Sequence, residues 1–166
     1  MAVEVRFAEM SDLVAVRDFG RRVVLAFYES IGLREYGQTV VTQYWESRAQ
    51  ENAIADRRVI VADDDGTIVG VTEFGCHEGE PIMWKLYVEP VMRGRGIGSK
   101  LVDEVIAAVA GEASSVLTEH AAENNEAALF YDRAGFNIAW IEEGEGPGAT
   151  TVWRRKQLPL QATSLQ

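Results

Sequence analysis

The segment from Leu86 to Leu101 constrains this chain more than any other part of it. A β-rich run ends at Pro90, three glycines then alternate between Gly94 and Gly98, and a helical pattern begins at once. Glycine lets the backbone approach a ligand closely because it has no Cβ. The first N–H groups of a helix lack internal partners, and the helix dipole favours an anion beside them. The segment therefore predicts a phosphate site, and a pyrophosphate suits it best.

Two other glycine-rich phosphate motifs do not fit this segment. A P-loop requires Gly-Lys followed by Ser or Thr, whereas Gly98 is followed by Ser99 and Lys100 in the inverted order. The dinucleotide fingerprint requires a third glycine where this chain has Ser99. Arg93 and Arg95 add positive charge to the loop. On this segment alone, a glycine-rich turn with a basic edge and no ligand remains the alternative.

Composition narrows the class of protein. The 166 residues favour one domain, no stretch approaches the roughly 20 apolar residues that span a bilayer, and the start lacks the layout of a secretory signal. Cys76 is the only cysteine, so we expect a cytoplasmic protein without a membrane partner. We expect no metal, because no cluster of His, Cys and carboxylates has ligand spacing.

The charge balance also bears on partners. The 26 acidic and 16 basic residues give a net charge of −10, which opposes nonspecific binding to nucleic acid and anionic lipid. A cationic acceptor would suit such a surface, although the simpler interpretation is that the charge keeps the protein soluble. The composition leaves both a monomer and a homodimer open.

Hydrophobic periodicity predicts the element order β-α-α-β-β-β-α-β-α-β-β. This order favours the α+β class, an α/β mixed sheet with helices on both faces. The second predicted helix runs over about 39–55. We expect a single domain over 1–157 and a frayed tail over 158–166, where no apolar period is found.

A second informative segment runs from Glu123 to Phe136. Together with the glycine loop it resembles the GNAT superfamily of acetyl-CoA-dependent N-acetyltransferases. The first hallmark, Arg/Gln-x-x-Gly-x-Gly/Ala after the fourth strand, is present from Arg93 to Gly98. The second, Asn-x-x-Ala-x-x-aromatic-Tyr ending in Gly-Phe, begins at Asn124. The resemblance implies the acyl-CoA N-acyltransferase (GNAT) fold for the whole domain.

The resemblance also implies acetyl-CoA as the co-substrate. In the family the loop N–H groups hold the pyrophosphate, and the end of the fourth strand pairs with the pantetheine arm like an added strand. The residues expected to bind acetyl-CoA are Leu86, Tyr87, Val88, Arg93, Gly94, Arg95, Gly96, Ile97, Gly98, Ser99, Asn124 and Tyr131. Asn124 is explained equally well as a helix N-cap.

Tyr131 is the expected catalytic acid, because the resemblance implies a tyrosine here that protonates the departing thiolate. A phenol with a pKa near 10 stays protonated at neutral pH, although Tyr131 also fits as a core residue beside Phe130. The general base stays open. Glu80, before the fourth strand, is our candidate, with Glu73 and His120 as the others; a solvated hairpin charge is the simpler interpretation of either glutamate.

Covalent catalysis through Cys76 is not expected. Neighbours on a strand point to opposite faces, so Cys76 and His77 form no dyad. The resemblance implies direct transfer of the acetyl group to a primary amine of a small molecule or peptide. The alternative is a non-catalytic acyl-CoA sensor with the same fold. The resemblance implies an acceptor site to which Tyr28, Tyr36, Tyr44, Trp45 and Trp84 could contribute aromatic walls, although aromatics at helical spacing are more often core residues.

Overall fold

The computed structural model describes residues 2–159. Its strands are β1 (Glu4–Phe7), β2 (Val59–Asp64), β3 (Thr67–His77), β4 (Glu80–Val88), β5 (Ser115–Ala121), β6 (Asn137–Glu142) and β7 (Thr151–Gln157). Its helices are α1 (Leu13–Phe19), α2 (Leu25–Ser30), α3 (Arg34–Tyr44), α4 (Arg48–Ala55), α5 (Ile97–Val109) and α6 (Asn125–Arg133). The predicted α+β class is confirmed. None of the described helices is long and apolar enough to cross a membrane.

The predicted helix over 39–55 is wrong as a single element, since α3 and α4 are separate helices. The chain leaves the helical path so that Trp45 becomes fully buried. Ser47 then caps α4, and its hydroxyl accepts a hydrogen bond from the Ala49 N–H at 3.2 Å. The break between the two helices therefore coincides with burial of the large indole, whose Nε1 has no hydrogen-bond partner among residues 2–159.

A π-helical turn, Gly20–Val24, joins α1 and α2 into one continuous helix. A Cβ at Gly20 would overlap the indole of Trp45. The glycine therefore allows the helix to pack directly against the Trp45 ring.

One mixed sheet carries the fold, in the order β1-β2-β3-β4-β5-β7-β6. All neighbours are antiparallel except β4 and β5, which pair in parallel at Ile82 with Leu117 and Met83 with Thr118. Beyond these pairs the two strands diverge. The carboxyl-terminal half of β4 therefore faces a gap instead of a neighbouring strand.

A β-bulge in β4 lies where the gap begins. Lys85 pairs with Glu73 and Met83 pairs with Phe74, so Trp84 is an extra residue on β4. Bulges bend a strand and redirect its side chains. This bulge coincides with the point where β4 leaves β5.

Helices pack on both faces of the sheet, as predicted. α1 to α4 bury one core cluster against the β2 and β3 side chains that include Val61 and Val71. α5 and α6 bury a second cluster against the opposite face, which includes Ile60 and Met83. On β4, β5 and β7 a smaller cluster of Ile82, Leu117 and Trp153 lies apart from both.

The predicted tail is described only at its start. Leu158 is buried, and its N–H donates to the Ser114 carbonyl at 2.8 Å, so order extends at least one residue past the predicted boundary at 157. Residues 160–166 of that tail lie outside the described residues.

Candidate functional site

Two cavities meet at the gap between β4 and β5. The first, the glycine-loop cleft, has a volume of about 500 Å³ and lies among the start of α5, the end of β4 and α6. The second, the tyrosine pocket, has about 410 Å³ and is lined by all five tyrosines of the chain. The residues common to both are Leu86, Tyr87, Asn124, Ala127 and Tyr131. A ligand crossing from one cavity to the other would pass these five.

The glycine loop leaves room for a ligand at the start of α5. Gly94 and Gly96 have left-handed φ values of 77° and 80°, and a Cβ on either would meet no atom within 4 Å. Gly96 is the N-cap of α5 and has no side chain to cap the helix. The first N–H groups of α5 are therefore available to an anion. This open, positively polarised cradle fits a pyrophosphate.

A third glycine of the loop serves packing instead. A Cβ at Gly98 would lie 3.2 Å from the Phe130 ring. Gly98 therefore allows α5 and α6 to approach each other at the cleft.

The structure brings eleven of the twelve predicted CoA-binding residues to the lining of the glycine-loop cleft. The exception is Arg95, which is exposed between Gly94 and Gly96 and does not line the cleft. Arg93 does line it, and its guanidinium donates to Glu126 at 2.8 Å and to the Val88 carbonyl at 3.3 Å.

Both interpretations of Asn124 are compatible with its position. Its side-chain oxygen accepts from the Ala127 N–H at 3.0 Å, so it is the N-cap of α6. It also lines both cavities. Capping fixes the amide at the boundary between the cavities, where a ligand could contact it.

The end of β4 offers a backbone edge to the cleft. β3 occupies one edge of this segment, as in the pairing of Gly70 with Val88 and Val71 with Tyr87. The other edge faces the gap, because β4 pairs with β5 only at Ile82 and Met83. An extended ligand with amide groups can add here as a short strand.

Tyr131 lies where the two cavities join. It is 5% exposed and packs edge-on against Phe130 and Phe136, with ring centroids 5.4 Å apart in each pair. Burial raises the pKa of its phenol to about 12, and the Thr118 side chain opposes the shift. The residue is therefore part of the core and also a protonated donor facing both cavities.

Glu80 is not near this site. It lines neither cavity, and its carboxylate accepts hydrogen bonds from Arg155 at 2.7 and 2.9 Å and from the Ser115 hydroxyl at 2.9 Å. The hydrogen bond from Arg155 is the main cause that lowers the Glu80 pKa. Because Glu80 opens β4 and the gap lies at the other end of that strand, we withdraw it as the candidate base.

Glu73 lines the tyrosine pocket, but its negative charge is balanced by a salt bridge. Its carboxylate pairs with the Lys85 ammonium at 3.0 Å. The same ammonium donates to the Tyr44 carbonyl at 2.5 Å and to the Gln50 side chain at 2.8 Å. This buried network ties α3 and α4 to the bulged part of β4, so it supports the pocket wall.

His120 also lacks the properties of a base. Its Nε2 accepts a hydrogen bond from Arg154 Nε at 2.9 Å, which leaves Nδ1 to donate to the Ala121 carbonyl at 2.9 Å. Burial is the main cause that lowers the His120 pKa. The ring is therefore held neutral, and both nitrogens are already occupied.

Glu119 is a candidate that sequence reasoning missed. It lines the tyrosine pocket, and within residues 2–159 its carboxylate has neither a salt bridge nor a hydrogen bond. Burial is the main cause that raises its pKa, and the charge of Glu142 adds to the effect. The signal available in the sequence is strand alternation. Glu119 lies between Thr118 and His120, which are buried, so its side chain points to the opposite face of β5.

The split sheet, the glycine loop and the joined cavities together define an acyl-CoA N-acyltransferase fold. A sequence model described as an acetyltransferase (GNAT) domain matches residues 55–138, just over half of the chain. The protein therefore belongs to the GNAT acetyltransferase family. No curated protein sequence matches the chain.

Solved structures agree on the fold. The PaiA N-acetyltransferase from Thermoplasma acidophilum, in complex with coenzyme A, superposes with a TM-score of 0.80 at 19% identity, over 95% of this chain and 100% of that one. Ard1 from Thermoplasma volcanium gives 0.74 at 19% identity, over 96% and 100%. The ribosomal-protein-S18-alanine N-acetyltransferase from Escherichia coli gives 0.69 at 15% identity, over 99% of each chain.

Proposed function

We propose that this protein is an N-acetyltransferase that transfers the acetyl group of acetyl-CoA directly to a primary amine of a small molecule or peptide. One observation carries the proposal. Tyr131, a protonated phenol, and Glu119, a carboxylate with a raised pKa, both face the cavity that opens from the glycine-loop cleft. Family membership supports acyl transfer, and the coenzyme A complex of a structural neighbour supports acyl-CoA as the donor.

The glycine-loop cleft is the donor site in this proposal. The N–H groups at the start of α5 bind the pyrophosphate, with Arg93 beside them. The free edge of β4 at Leu86–Val88 pairs with the amides of the pantetheine arm. Acetyl-CoA supplies an activated acyl group, and this arrangement directs its thioester toward Tyr131.

Glu119 is the general base in this proposal. The acceptor arrives as an ammonium ion, which must lose one proton before its nitrogen can form the bond to the acyl carbon. Glu119 takes that proton, directly or through a water molecule, and the bonded nitrogen then loses a second proton to solvent to give the amide. Because burial raises its pKa toward neutrality, Glu119 holds a proton more readily than an exposed glutamate.

Tyr131 is the general acid. When the carbon–sulfur bond breaks, the phenol donates its proton to the leaving sulfur and later regains one from solvent. A pKa of about 12 keeps the phenol protonated at neutral pH. Positioning of the two reactants supplies a large further part of the acceleration.

An amine panel with acetyl-CoA, followed by release of the free thiol, tests this function. The panel should contain alkylamines, diamines, amino acids and short peptides with free N-termini. We expect acetylation of at least one class, with the product mass raised by one acetyl group. Saturable acetyl-CoA binding without thiol release for any amine would instead indicate the alternative, an acyl-CoA sensor.

A further inference from the structure

Strand β6 forms one outer edge of the sheet, and no other strand within residues 2–159 pairs with its outer side. All six of its residues are exposed, and Ile138, Trp140 and Ile141 are 55%, 38% and 53% exposed, respectively. The segment 137–141 contains neither a charged residue nor a proline. Free N–H and C=O groups along an apolar edge can pair with another chain. β6 is therefore suited to pairing with a further strand.

The opposite edge of the sheet is protected against such pairing. β1 has only four residues, and two of them, Glu4 and Arg6, are charged. The Arg6 guanidinium forms salt bridges to Asp12 at 2.8 Å and to Asp63 at 3.0 Å. Short length and charge are the usual devices that keep an edge strand unpaired. The two edges therefore differ, and β6 is the one open to a partner.

A β-bulge places the two isoleucines of β6 on one face of the sheet. The register against β7 shifts after Ile138, so Ala139 is an extra residue on β6. The β7 partners of Ile138 and Ile141 are Arg154 and Val152, which are two residues apart and therefore share a face. Ile138 and Ile141 consequently lie on that same face. In a regular strand, residues three apart would lie on opposite faces.

This arrangement makes β6 complementary to a second copy of itself. When two identical strands pair antiparallel about a two-fold axis normal to the sheet, residues opposite each other share a face. With the axis between Ala139 and Trp140, Ile138 lies opposite the second copy's Ile141. A regular strand could not pair in this register, because it would set residues of opposite faces against each other. The bulge therefore permits a symmetric pairing that uses all six residues.

Trp140 extends a row of aromatic rings toward this axis. Its indole stacks on Trp153 with centroids 5.0 Å apart, and Trp153 stacks on His77 with centroids 4.8 Å apart. In the symmetric register the two copies of Trp140 are diagonal neighbours on one face, within reach of each other. Pairing would therefore continue the aromatic row into the second copy and bury an indole that is partly exposed in one chain.

The charges at the two ends of β6 are complementary under the same axis. Glu142 ends the strand, and Glu143 follows it. At the other end Asn137 pairs with Arg155 of β7, and Lys156 comes next. Lys156 has no acidic partner within residues 2–159. The axis sets the second copy's Glu142 opposite Asn137, beside Arg155, and directs its Glu143 toward Lys156. Two sets of attractive contacts therefore form on an otherwise strongly acidic chain.

We propose that the protein is a homodimer in which two β6 strands pair antiparallel about a two-fold axis between Ala139 and Trp140. The pairing joins two seven-stranded sheets into one continuous sheet. No residue of β6 lines either cavity, so each copy keeps its own site. The dimer does not depend on the proposed function, and its tests measure association and not acetyl transfer.

The first test measures the mass of the protein in solution. Sedimentation equilibrium at micromolar concentrations should give twice the chain mass of 18.4 kDa. Ile141→Lys puts a charge against the second copy's Ile138 and should raise the Kd of the dimer about 100-fold. Val14→Lys is the matched control, because Val14 is 71% exposed on α1, and it should leave the Kd unchanged. Unaltered acetyl-CoA binding by Ile141→Lys shows that the variant is folded.

Two results of this measurement would overturn the inference. The first is a parent protein that keeps the mass of one chain at every concentration. The second is a dimer that Ile141→Lys weakens no more than Val14→Lys does, since the contact would then lie on another surface.

Cross-linking tests the register. Cys76→Ala first removes the native cysteine, and Ile138→Cys and Ile141→Cys are then made in separate chains. The two positions lie opposite each other in the symmetric register, close enough for a disulfide. Two copies of Ile138→Cys alone place their cysteines roughly 10 Å apart along the strands, which is too far. Oxidation should therefore cross-link the mixture but neither variant alone. Equal cross-linking of one variant alone, or none in the mixture, would overturn the register.

A charge exchange tests the contacts at the ends of the strands. Glu143→Lys sets two positive charges together at Lys156 and should weaken the dimer about threefold to tenfold. Adding Lys156→Glu to the same chain restores opposite charges and should recover the parent Kd. The difference between the two variants should shrink as salt screens the charges. A double variant that binds no tighter than Glu143→Lys would overturn the pairing of these charges across the axis.

Discussion

The two cavities that meet at Tyr131 are built in different ways. The glycine-loop cleft is formed around backbone groups from one short segment, where Gly94 and Gly96 leave open space. The tyrosine pocket owes its chemistry to side chains from α2, α3, β3, β4, β5 and α6. Local sequence therefore suffices to recognise the first cavity, whereas the second exists only once distant elements have packed.

The largest effect is expected from a substitution in the tyrosine pocket, the cavity built from side chains. Glu119→Gln should lower kcat/KM by about 10³-fold, within the usual range for a lost general base. The parent rate should rise with pH as Glu119 loses its proton, at a higher pH than for an ordinary glutamate because burial raises its pKa. When the rates of the variant are measured against pH, this rise should be absent. A rise that is retained in the variant would show that another group is the base.

Glu119→Gln is expected to lower activity but to raise the stability of the fold at high pH. A carboxyl whose folded pKa is raised stabilises the fold below its unfolded pKa, and this contribution is lost as pH rises through the folded pKa. Glu119→Gln should therefore melt at the same temperature as the parent near pH 4 and at a higher temperature near pH 8. A variant that is less stable at every pH would point to a structural defect, not to a lost base.

Gly96→Glu tests the glycine-loop cleft, the cavity built from backbone groups. The new side chain would be strained at a left-handed φ of 80° and would put a negative charge at the start of α5, so acetyl-CoA affinity should fall by about 10²-fold. Isothermal calorimetry measures this directly, and acetyl-CoA should no longer raise the melting temperature. Gly66→Glu is the matched control, because Gly66 has a φ of 92° and open space in the β2–β3 turn. Equal acetyl-CoA affinity in the folded Gly96→Glu and Gly66→Glu variants would refute the loop assignment.

Tyr131→Phe tests the point where the cavities join. The ring keeps its packing and only the hydroxyl is lost, so the chemical step in single turnover should slow by about 10²-fold. Acetyl-CoA affinity should change much less, because the pyrophosphate contacts lie elsewhere. A chemical step within threefold of the parent would assign Tyr131 to the core alone and leave protonation of the thiolate to water.

The smallest effect is expected outside both cavities. Cys76 is exposed near the end of β3 and lines neither cavity. Cys76→Ala should therefore keep turnover within a few-fold of the parent in a steady-state assay. Trapping of an acetyl group on Cys76 during turnover, detected by mass spectrometry, would show that transfer is not direct.

The glycine loop and Asn124 could be interpreted from sequence because the features that suggest their roles are local. The loop is contiguous with the helix that follows it, and the N-cap needs only the backbone three residues on. The fold class and the order of the strands follow in the same way from periodicity. The separation of α3 from α4 was not readable, because it depends on burial of Trp45 in the core.

The candidate base shows what only the tertiary structure decided. Glu80, Glu73, Glu119 and His120 are all plausible by residue type, but in the packed sheet Glu80 contacts Arg155, Glu73 contacts Lys85 and His120 contacts Arg154. Glu119 is left without a partner at the gap because β4 and β5 diverge after two residue pairs. The sequence by itself determined the anion cradle, whose groups are neighbours along the chain. Which carboxylate stays free depends on contacts between residues that are distant in sequence, and only the packed sheet establishes those contacts.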